Sequence, residues 1–144
     1  MERVIGFEIK KVDNMIVREV MKISKEEYDF CLSPIQTRIL KYLIKNKEVY
    51  QKDVETFFGI RRSTVSGILD TMEKNNLIKR ESIEGSRSKK IVLTDEGYNK
   101  SLKMKESLIK LEKQIVKDIT DEELTAFFMV IDKIKNNLNE RENK

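Results

Sequence analysis

The sequence contains no histidine, no tryptophan, one cysteine and one proline among its 144 residues. Without histidine the chain cannot build a serine–histidine–aspartate triad or an imidazole metal site. One thiol cannot assemble a zinc site or an intrachain disulfide framework. No set of residues combines a nucleophile, a base and an orienting group. The sequence therefore predicts a protein that is not an enzyme and that uses no metal and no cofactor.

The sequence also lacks a secretory leader and any apolar run long enough to span a bilayer, so we expect a cytoplasmic protein without membrane contact. Charged residues make up 38% of the chain and hydrophobic residues 39%, as in a globular helical domain. The net charge of +4 permits a polyanionic partner without requiring one. Between Arg61 and Lys90 there are eight basic residues and only four acidic ones.

The stretch from Phe57 to Ile78 has the pattern of two helices joined by a tight turn. Gly59 stands where the first helix would end in the left-handed conformation. In the second helix one face repeats apolar residues at spacings of three and four, namely Val65, Ile68, Leu69 and Met72. The other face is short, hydroxylated and cationic, with Arg62, Ser63, Ser66, Gly67 and Asp70. That face suits a DNA major groove, although an ordinary solvated helix would also fit.

Two short strands follow, over residues 78–83 and 89–93. The turn between them carries Arg87, flanked by small residues that offer it no packing. A hairpin directly after a helix-turn-helix is a wing, and this order of elements indicates DNA binding more specifically than either part alone. We expect Arg87 to enter the minor groove, the alternative being a solvated loop charge.

The segments before the helix-turn-helix are also mainly helical. Residues 1 to about 25 carry a nearly heptad apolar seam that needs a partner from this chain or another. Ser33, Pro34 and Gln36 begin a second helix with a capping box, and it runs to about residue 45. A very short strand at Val49 precedes a third helix over residues 51–58. Because Tyr50 is a poor N-cap, we expect tertiary packing to fix that helix terminus.

Two long helices complete the chain. Thr94 caps the first, and a capping box at Thr120 begins the second. The predicted fold is therefore mainly α with a small β-wing. Its order is two helices, a short strand, two helices, the two wing strands and two further helices.

Three stretches together resemble the MarR family (multiple antibiotic resistance regulators). They are LSPIQTRIL at 32–40, QKDVETFFGIRRSTVSGILDTMEKNNLIKR at 51–80 and SRSKKIVLTDEG at 86–97. The resemblance implies one domain over residues 1–144, with a winged helix-turn-helix lobe at 33–94 and helical dimerisation regions at 1–30 and 95–144. It implies a homodimeric transcriptional repressor of a palindromic operator, relieved by a small molecule or by oxidation. The alternative is a winged-helix protein-interaction module that does not bind specific DNA.

The motif and the resemblance together predict three sets of functional residues. Arg62, Ser63 and Ser66 are candidates for base edges, and Thr64 and Gln51 for phosphates. The full DNA-binding set is Gln51, Arg61, Arg62, Ser63, Thr64, Ser66, Gly67, Arg87 and Lys89. The dimerisation set is Ile5, Ile9, Val12, Ile16, Phe128, Ile131, Ile134 and Leu138. The ligand-binding set, for the pocket that the resemblance implies, is Arg18, Tyr28, Phe30, Arg38 and Tyr42.

The chain departs from the family pattern at three places. Gly85 stands where the family usually has an aspartate that braces the wing, and Asn76 replaces a common glycine. Arg61 occupies the N-cap position of the reading helix, where a short polar residue would cap better.

The single cysteine, Cys31, has two interpretations. It is either an oxidant sensor or a small, partly buried hydrophobe.

Overall fold

The computed structural model describes residues 2–28 and 30–142. Met1 and the last two residues, which the sequence assigns to the dimerisation regions, lie outside the described residues, as does Asp29. The described helices are α1 (Ile5–Lys22), α2 (Pro34–Lys45), α3 (Gln51–Phe58), α4 (Arg62–Lys74), α5 (Asp95–Ile115) and α6 (Asp121–Glu142). The strands are β1 (Val49–Tyr50), β2 (Ile78–Ser82) and β3 (Lys89–Leu93). The mainly helical fold with a small wing is confirmed.

The chain divides into two compact units, one up to Ile109 and the other from Lys110 onward. Helix α5 contributes to both units. None of the helices in the described part of the chain combines the length and the apolar character that a membrane span requires.

Helix α1 is shorter than expected and ends in a π-helical turn. It begins at Ile5, later than predicted, and after Lys22 it continues as the π-helical segment Ile23–Glu27, a change of helix type that the sequence did not predict. Ser24 is fully buried in that segment. Its hydroxyl donates to the carbonyl of Met21 and accepts the N–H of Leu32, 3.3 Å away. These bonds tie the connection between α1 and α2 to the π-helical turn.

Side-chain hydrogen bonds begin α2 and α3. At α2 the predicted capping box is confirmed, because Ser33 Oγ accepts the N–H of Gln36 and Gln36 Oε1 accepts the N–H of Ser33. Before α3 the carboxylate of Asp53 accepts the N–H of Tyr50 at 2.9 Å. The poor capping residue Tyr50 is thus compensated locally, by a side chain from the first turn of α3, and not only by the tertiary packing that we expected.

The three strands form one antiparallel sheet in the order β1-β3-β2. Residue pairs run from Ile78 opposite Leu93 to Ser82 opposite Lys89, so β2 ends one residue earlier than predicted. The helices α2, α3 and α4 and the strand β2 share an apolar core with side chains that are almost wholly buried. Its main members are Ile39, Leu40, Val54, Val65, Leu69, Met72, Leu77 and Ile78. Each such side chain stabilises the fold by about 1.5–3 kcal/mol, so this core fixes the position of α4.

Thr94 joins the end of α4 to the start of α5. Its hydroxyl lies 2.7 Å from the carbonyl oxygen of Asn76 and 2.9 Å from that of Leu77, and it accepts the N–H of Gly97. Asn76 has a φ of +60°, a left-handed conformation that asparagine tolerates when it replaces glycine at a helix end. Gly97 packs so closely that a Cβ there would lie 2.2 Å from the carbonyl oxygen of Leu77.

The second unit consists of the end of α5, a turn at Asp118 and α6. The capping box at Thr120 is confirmed, because its N–H donates to Glu123 Oε1 and its Oγ1 accepts the N–H of Glu123. Hydrogen bonds from the backbone N–H and the side chain of Thr120 lower the pKa of the Glu123 carboxyl. None of the described residues of α6 is buried.

Replacement of Gly97 by alanine should destabilise the protein, although alanine is the better helix former. The methyl group would meet the carbonyl of Leu77, and moving the backbone should cost about 1–3 kcal/mol. Gly67→Ala in α4 is the matched control, because a Cβ there has no neighbour within 4 Å. That change should raise the free energy of unfolding by about 1 kcal/mol. Urea denaturation measures both effects, and shifts of the same sign would contradict close packing at Gly97.

Candidate nucleic-acid interface

Helices α3 and α4 form a helix-turn-helix whose turn is set by Gly59. This glycine has a φ of +63°, a left-handed conformation that ends α3. On α4 the side chains of Val65, Leu69 and Met72 are completely buried. Because the residues of one helical face follow this spacing, the opposite face of α4 is turned to solvent.

The α4 residues predicted to read DNA lie on that outward face. Arg62, Ser63, Thr64 and Gly67 are exposed, and Ser66 is half-buried. No acidic residue occupies the first turn of α4, so the positive end of the helix dipole is not neutralised there. A surface of this kind can accept a phosphate and approach a base edge closely.

The two predicted DNA-binding residues that precede α4 in the sequence differ in position. Arg61 is exposed and holds the N-cap position of α4 without a side-chain capping bond, as its poor capping ability predicted. Gln51 is half-buried at the first position of α3. Arg61 therefore adds a cation to the start of the outward face, whereas only part of the Gln51 side chain is accessible.

The wing is a hairpin with a closed turn at its tip. Ser86 donates its N–H to the carbonyl of Ile83 at 3.0 Å, and Gly85 between them has a φ of +79°. Glycine is therefore favoured by the backbone at the position where the family usually has aspartate. Arg87 and Lys89 are exposed, and in the described part of the chain neither side chain forms a hydrogen bond or an ion pair. Both cations remain available to a ligand.

Arg80 on β2 has a role that the sequence pattern did not reveal. Its guanidinium donates to the carboxylates of both Asp70 and Glu73 on α4, and its backbone N–H donates to Glu73 Oε2. The bonds from Arg80 lower the pKa of the Glu73 carboxyl. Neither Glu81 nor Glu84, the two acids that precede Gly85 on the hairpin, forms such a bond within the described residues. The available signal was a pair of acids three residues apart on α4, followed by an arginine on the next strand.

Two of the predicted ligand-binding residues, Tyr28 and Phe30, lie together. Their rings stack with centroids 5.6 Å apart. The Tyr28 hydroxyl lies 3.0 Å from Ser107 Oγ on α5, and Lys100 Nζ lies 5.3 Å from the centre of the Phe30 ring. These contacts form a packed junction between α5 and the segment that follows the π-helical turn.

Two others, Arg38 and Tyr42, line a cleft of about 560 Å³ between α2 and α3. Tyr42 packs there against Phe57 and Phe58, with ring centroids 4.6 and 5.9 Å away. Arg18 is exposed on α1 and is not among the residues that line this cleft. The predicted ligand set is therefore divided between two places and does not form one pocket in the described chain.

The predicted dimerisation residues are mostly uncovered. Ile16, Ile131 and Ile134 are half-buried. The exposed members are Ile5, Ile9 and Val12 on α1 and, in the second unit, Phe128 and Leu138 on α6.

Cys31 is exposed, so its interpretation as a partly buried hydrophobe is wrong. The sequence has no second cysteine that could form an intrachain disulfide with it. Within residues 2–28 and 30–142, no three acidic or cysteine side chains are grouped as a metal site would require.

Known proteins share parts of this sequence and this fold. A model of the MarR family matches residues 32–88, which include α2, the helix-turn-helix and most of the wing. YwoH of Bacillus subtilis, an uncharacterized HTH-type transcriptional regulator, is 27% identical over 115 residues, which are 79% of this chain and 84% of YwoH.

Two solved structures extend the likeness to nearly the whole chain. The DNA complex of Staphylococcus aureus MepR has a TM-score of 0.81 at 21% identity, covering 95% of this chain and 99% of MepR. The heme sensor PefR from Streptococcus agalactiae, in complex with heme, has a TM-score of 0.67 at 26% identity, covering 95% of each chain. The first likeness establishes the fold, and these relatives are not enzymes. The outward face of α4, the wing and the matched sequence agree on one conclusion: over residues 32–88 this chain is similar to the MarR family, and it has the fold of the MepR structure.

Proposed function

We propose that this protein is a homodimeric repressor that binds an inverted-repeat operator and is relieved by a small molecule. One observation supports the proposal above the others. The outward face of α4 carries small and cationic side chains, and on the wing that follows it the Arg87 side chain forms no hydrogen bond or ion pair within the described residues. Two lobes related by a two-fold axis would place their reading helices in successive major grooves, about 34–36 Å apart. In this arrangement residues 33–94 of the single domain 1–144 bind DNA, and residues 1–30 and 95–144 form the dimer.

The competing function is a winged-helix module that binds another protein. Protein interfaces are enriched in aromatic residues and depleted in serine. The outward face of α4 has Arg62, Ser63, Thr64 and Gly67 instead. Salt dependence distinguishes the two functions. Because DNA binding uses phosphate contacts, its affinity should fall steeply as the salt concentration rises, whereas binding to another protein need not depend on salt in this way. The residues therefore favour DNA.

The dimer is supported by apolar surface that the chain itself leaves uncovered. On α1, Ile5, Phe7 and Val12 are more than half exposed. On α6, Phe127, Phe128 and Leu138 are also more than half exposed. Large apolar side chains left exposed along one helix indicate an interaction site.

The dimer should appear in sedimentation at micromolar concentration as one species of twice the chain mass. Ile9→Glu should shift the equilibrium toward monomer, because it places a charge in the apolar seam. Ile44→Glu on α2 is the matched control: Ile44 is 40% exposed, close to the 45% of Ile9, but lies outside the seam. A monomeric wild-type protein, or equal effects of the two changes, would contradict the proposed interface.

The operator can be found by selecting duplexes from the DNA of the source genome, and it should contain an inverted repeat. On that duplex, Arg62→Ala and Ser66→Ala should each cost roughly 1–3 kcal/mol and relax the preference at one base position. Arg87→Ala should weaken binding about tenfold and reduce the preference for A·T pairs beside the repeat. It should also lower the salt slope by about one unit per half-site.

The control for these three variants is Arg141→Ala, which removes an exposed cation from the end of α6. It should leave affinity, sequence preference and salt slope close to those of the wild type. If Arg87→Ala behaves like this control, Arg87 is only a solvated loop charge. If Arg62→Ala and Ser66→Ala do so, the proposed placement of α4 in the groove fails.

Relief by a small molecule is supported by the cleft between α2 and α3. Its volume falls in the range of ligand sites, and Phe57 beside it is 65% exposed. Arg38, Lys41 and Lys45 also line it, and none of its described lining residues is acidic. PefR has been solved with heme, but this chain has no histidine, the commonest heme ligand. We therefore propose an amphipathic organic anion and not heme.

Titration of the operator complex with 2-naphthoate should release DNA, whereas the neutral 2-naphthamide should act only at concentrations about fivefold higher. Phe57→Ala should reduce the effect of 2-naphthoate because it removes an aromatic wall of the cleft. Leu102→Ala, which truncates an exposed apolar residue on α5, is the control. Release that is unchanged in Phe57→Ala would exclude this cleft as the effector site.

A further inference from the structure

Strand β2 is one of the two edge strands of the three-stranded sheet, with β3 as its neighbour. An edge strand leaves outward N–H groups without a strand partner. At Arg80 that group is satisfied by α4, because its N–H donates to Glu73 Oε2 at 3.1 Å. The reading helix therefore supplies a hydrogen-bond acceptor to the middle of the wing strand.

The side chain of Arg80 strengthens the same connection. Its Nε and Nη2 lie 3.2 and 2.9 Å from Glu73 Oε1, and Nη2 also donates to Asp70. The Arg80 side chain is only 18% exposed, whereas those of Asp70 and Glu73 are 61% and 40% exposed. A guanidinium that binds two carboxylates in a partly enclosed place is held more firmly than a single surface pair. We call this group, Asp70, Glu73 and Arg80, the wing clamp.

A small change of backbone orientation at the wing clamp would displace the wing tip. The hairpin extends from Arg80 to its turn by about three residues, roughly 10 Å at the rise of a β-strand. A rotation of about 10° at Arg80 would therefore move the tip by roughly 2 Å, enough to break a hydrogen bond there. In the described chain, the clamp supplies all side-chain hydrogen bonds between α4 and β2.

The clamp also changes the charge beside the reading face. Asp70 lies one turn after Ser66 on α4, so its carboxylate is close to the surface proposed to face DNA. A free carboxylate there would repel phosphates. The guanidinium of Arg80 neutralises part of that charge while it holds β2 in place.

We propose that Arg80 is a positioning residue for operator recognition, which fixes the wing relative to the reading helix through Asp70 and Glu73 without touching DNA. The inference rests on the proposed DNA-binding function and extends it to a residue outside the contact surface. Arg62 and Arg87 would contact DNA directly. Arg80 would instead hold the wing tip at the position where it and the outward face of α4 can bind the same DNA site.

The decisive variant is Glu73→Ala, because two explanations predict opposite signs. Loss of a carboxylate near DNA should tighten binding if only charge matters. If the clamp positions the wing, the same change should weaken binding to the selected inverted-repeat duplex by about fivefold. Glu81→Ala, which removes an exposed acid from the residue that follows Arg80 on β2, is the matched control and should not weaken binding.

Arg80→Gln should weaken binding about tenfold, while Lys79→Gln, which removes an equal charge from the preceding residue, should change it by about twofold or less. Arg80→Lys keeps the charge and should restore only part of the affinity, because lysine lacks the forked donors. In the double variant of Arg80→Gln and Glu73→Ala, the loss should be no larger than in Arg80→Gln alone, since both changes break one unit.

Measurements on the free protein separate the clamp from the proposed function. Glu73→Ala should accelerate amide exchange at Arg80 and increase the mobility of residues 85–88 in ¹⁵N relaxation, with dimerisation unchanged. If the wild type binds no duplex but these changes occur, the proposed function fails and the clamp stands. Tighter or unchanged DNA binding by Glu73→Ala, or unchanged exchange at Arg80, would overturn the inference.

Discussion

The burial of one face of α4 is the constraint on which the proposed DNA-binding surface depends. Val65, Leu69 and Met72 are completely enclosed, so α4 cannot rotate about its axis without exposing apolar surface. The same constraint turns Arg62, Ser63 and Gly67 toward solvent. The core therefore orients the reading face, although none of its side chains belongs to that face.

The fold could be predicted from the sequence because each element has a strong local signal. Ser33 with Pro34 begins α2, Gly59 ends α3, and the apolar period changes at Leu77 where the wing begins. The boundaries at the first helix were less predictable. A π-helical turn depends on how Ser24 satisfies its neighbours, and its hydrogen bond to the distant N–H of Leu32 has no signature in a periodic pattern.

The candidate site was predictable only in part, for a related reason. The outward face of α4 follows from helical period, so the periodic pattern alone assigns Arg62 and Ser63 to it. The bonds of Arg80 depend on how an edge strand lies against α4, and the division of the ligand residues depends on which faces of α1 and α2 meet their neighbours. Tyr28 and Tyr42 are both aromatic residues on or near predicted helices, yet one packs at α5 and the other at α3.

Helix α1 has an exposed apolar seam in its first turns and a buried residue near its end. Its first turns expose Ile5, Ile9 and Val12, whereas Val20, near its end, is buried. Since an α-helix turns about 100° per residue, the two surfaces keep a fixed phase only while the number of residues between them is constant. An insertion or deletion of one residue in that interval would swing the exposed seam by about 100° relative to the buried anchor. The length of this stretch, more than its composition, should therefore resist change during evolution.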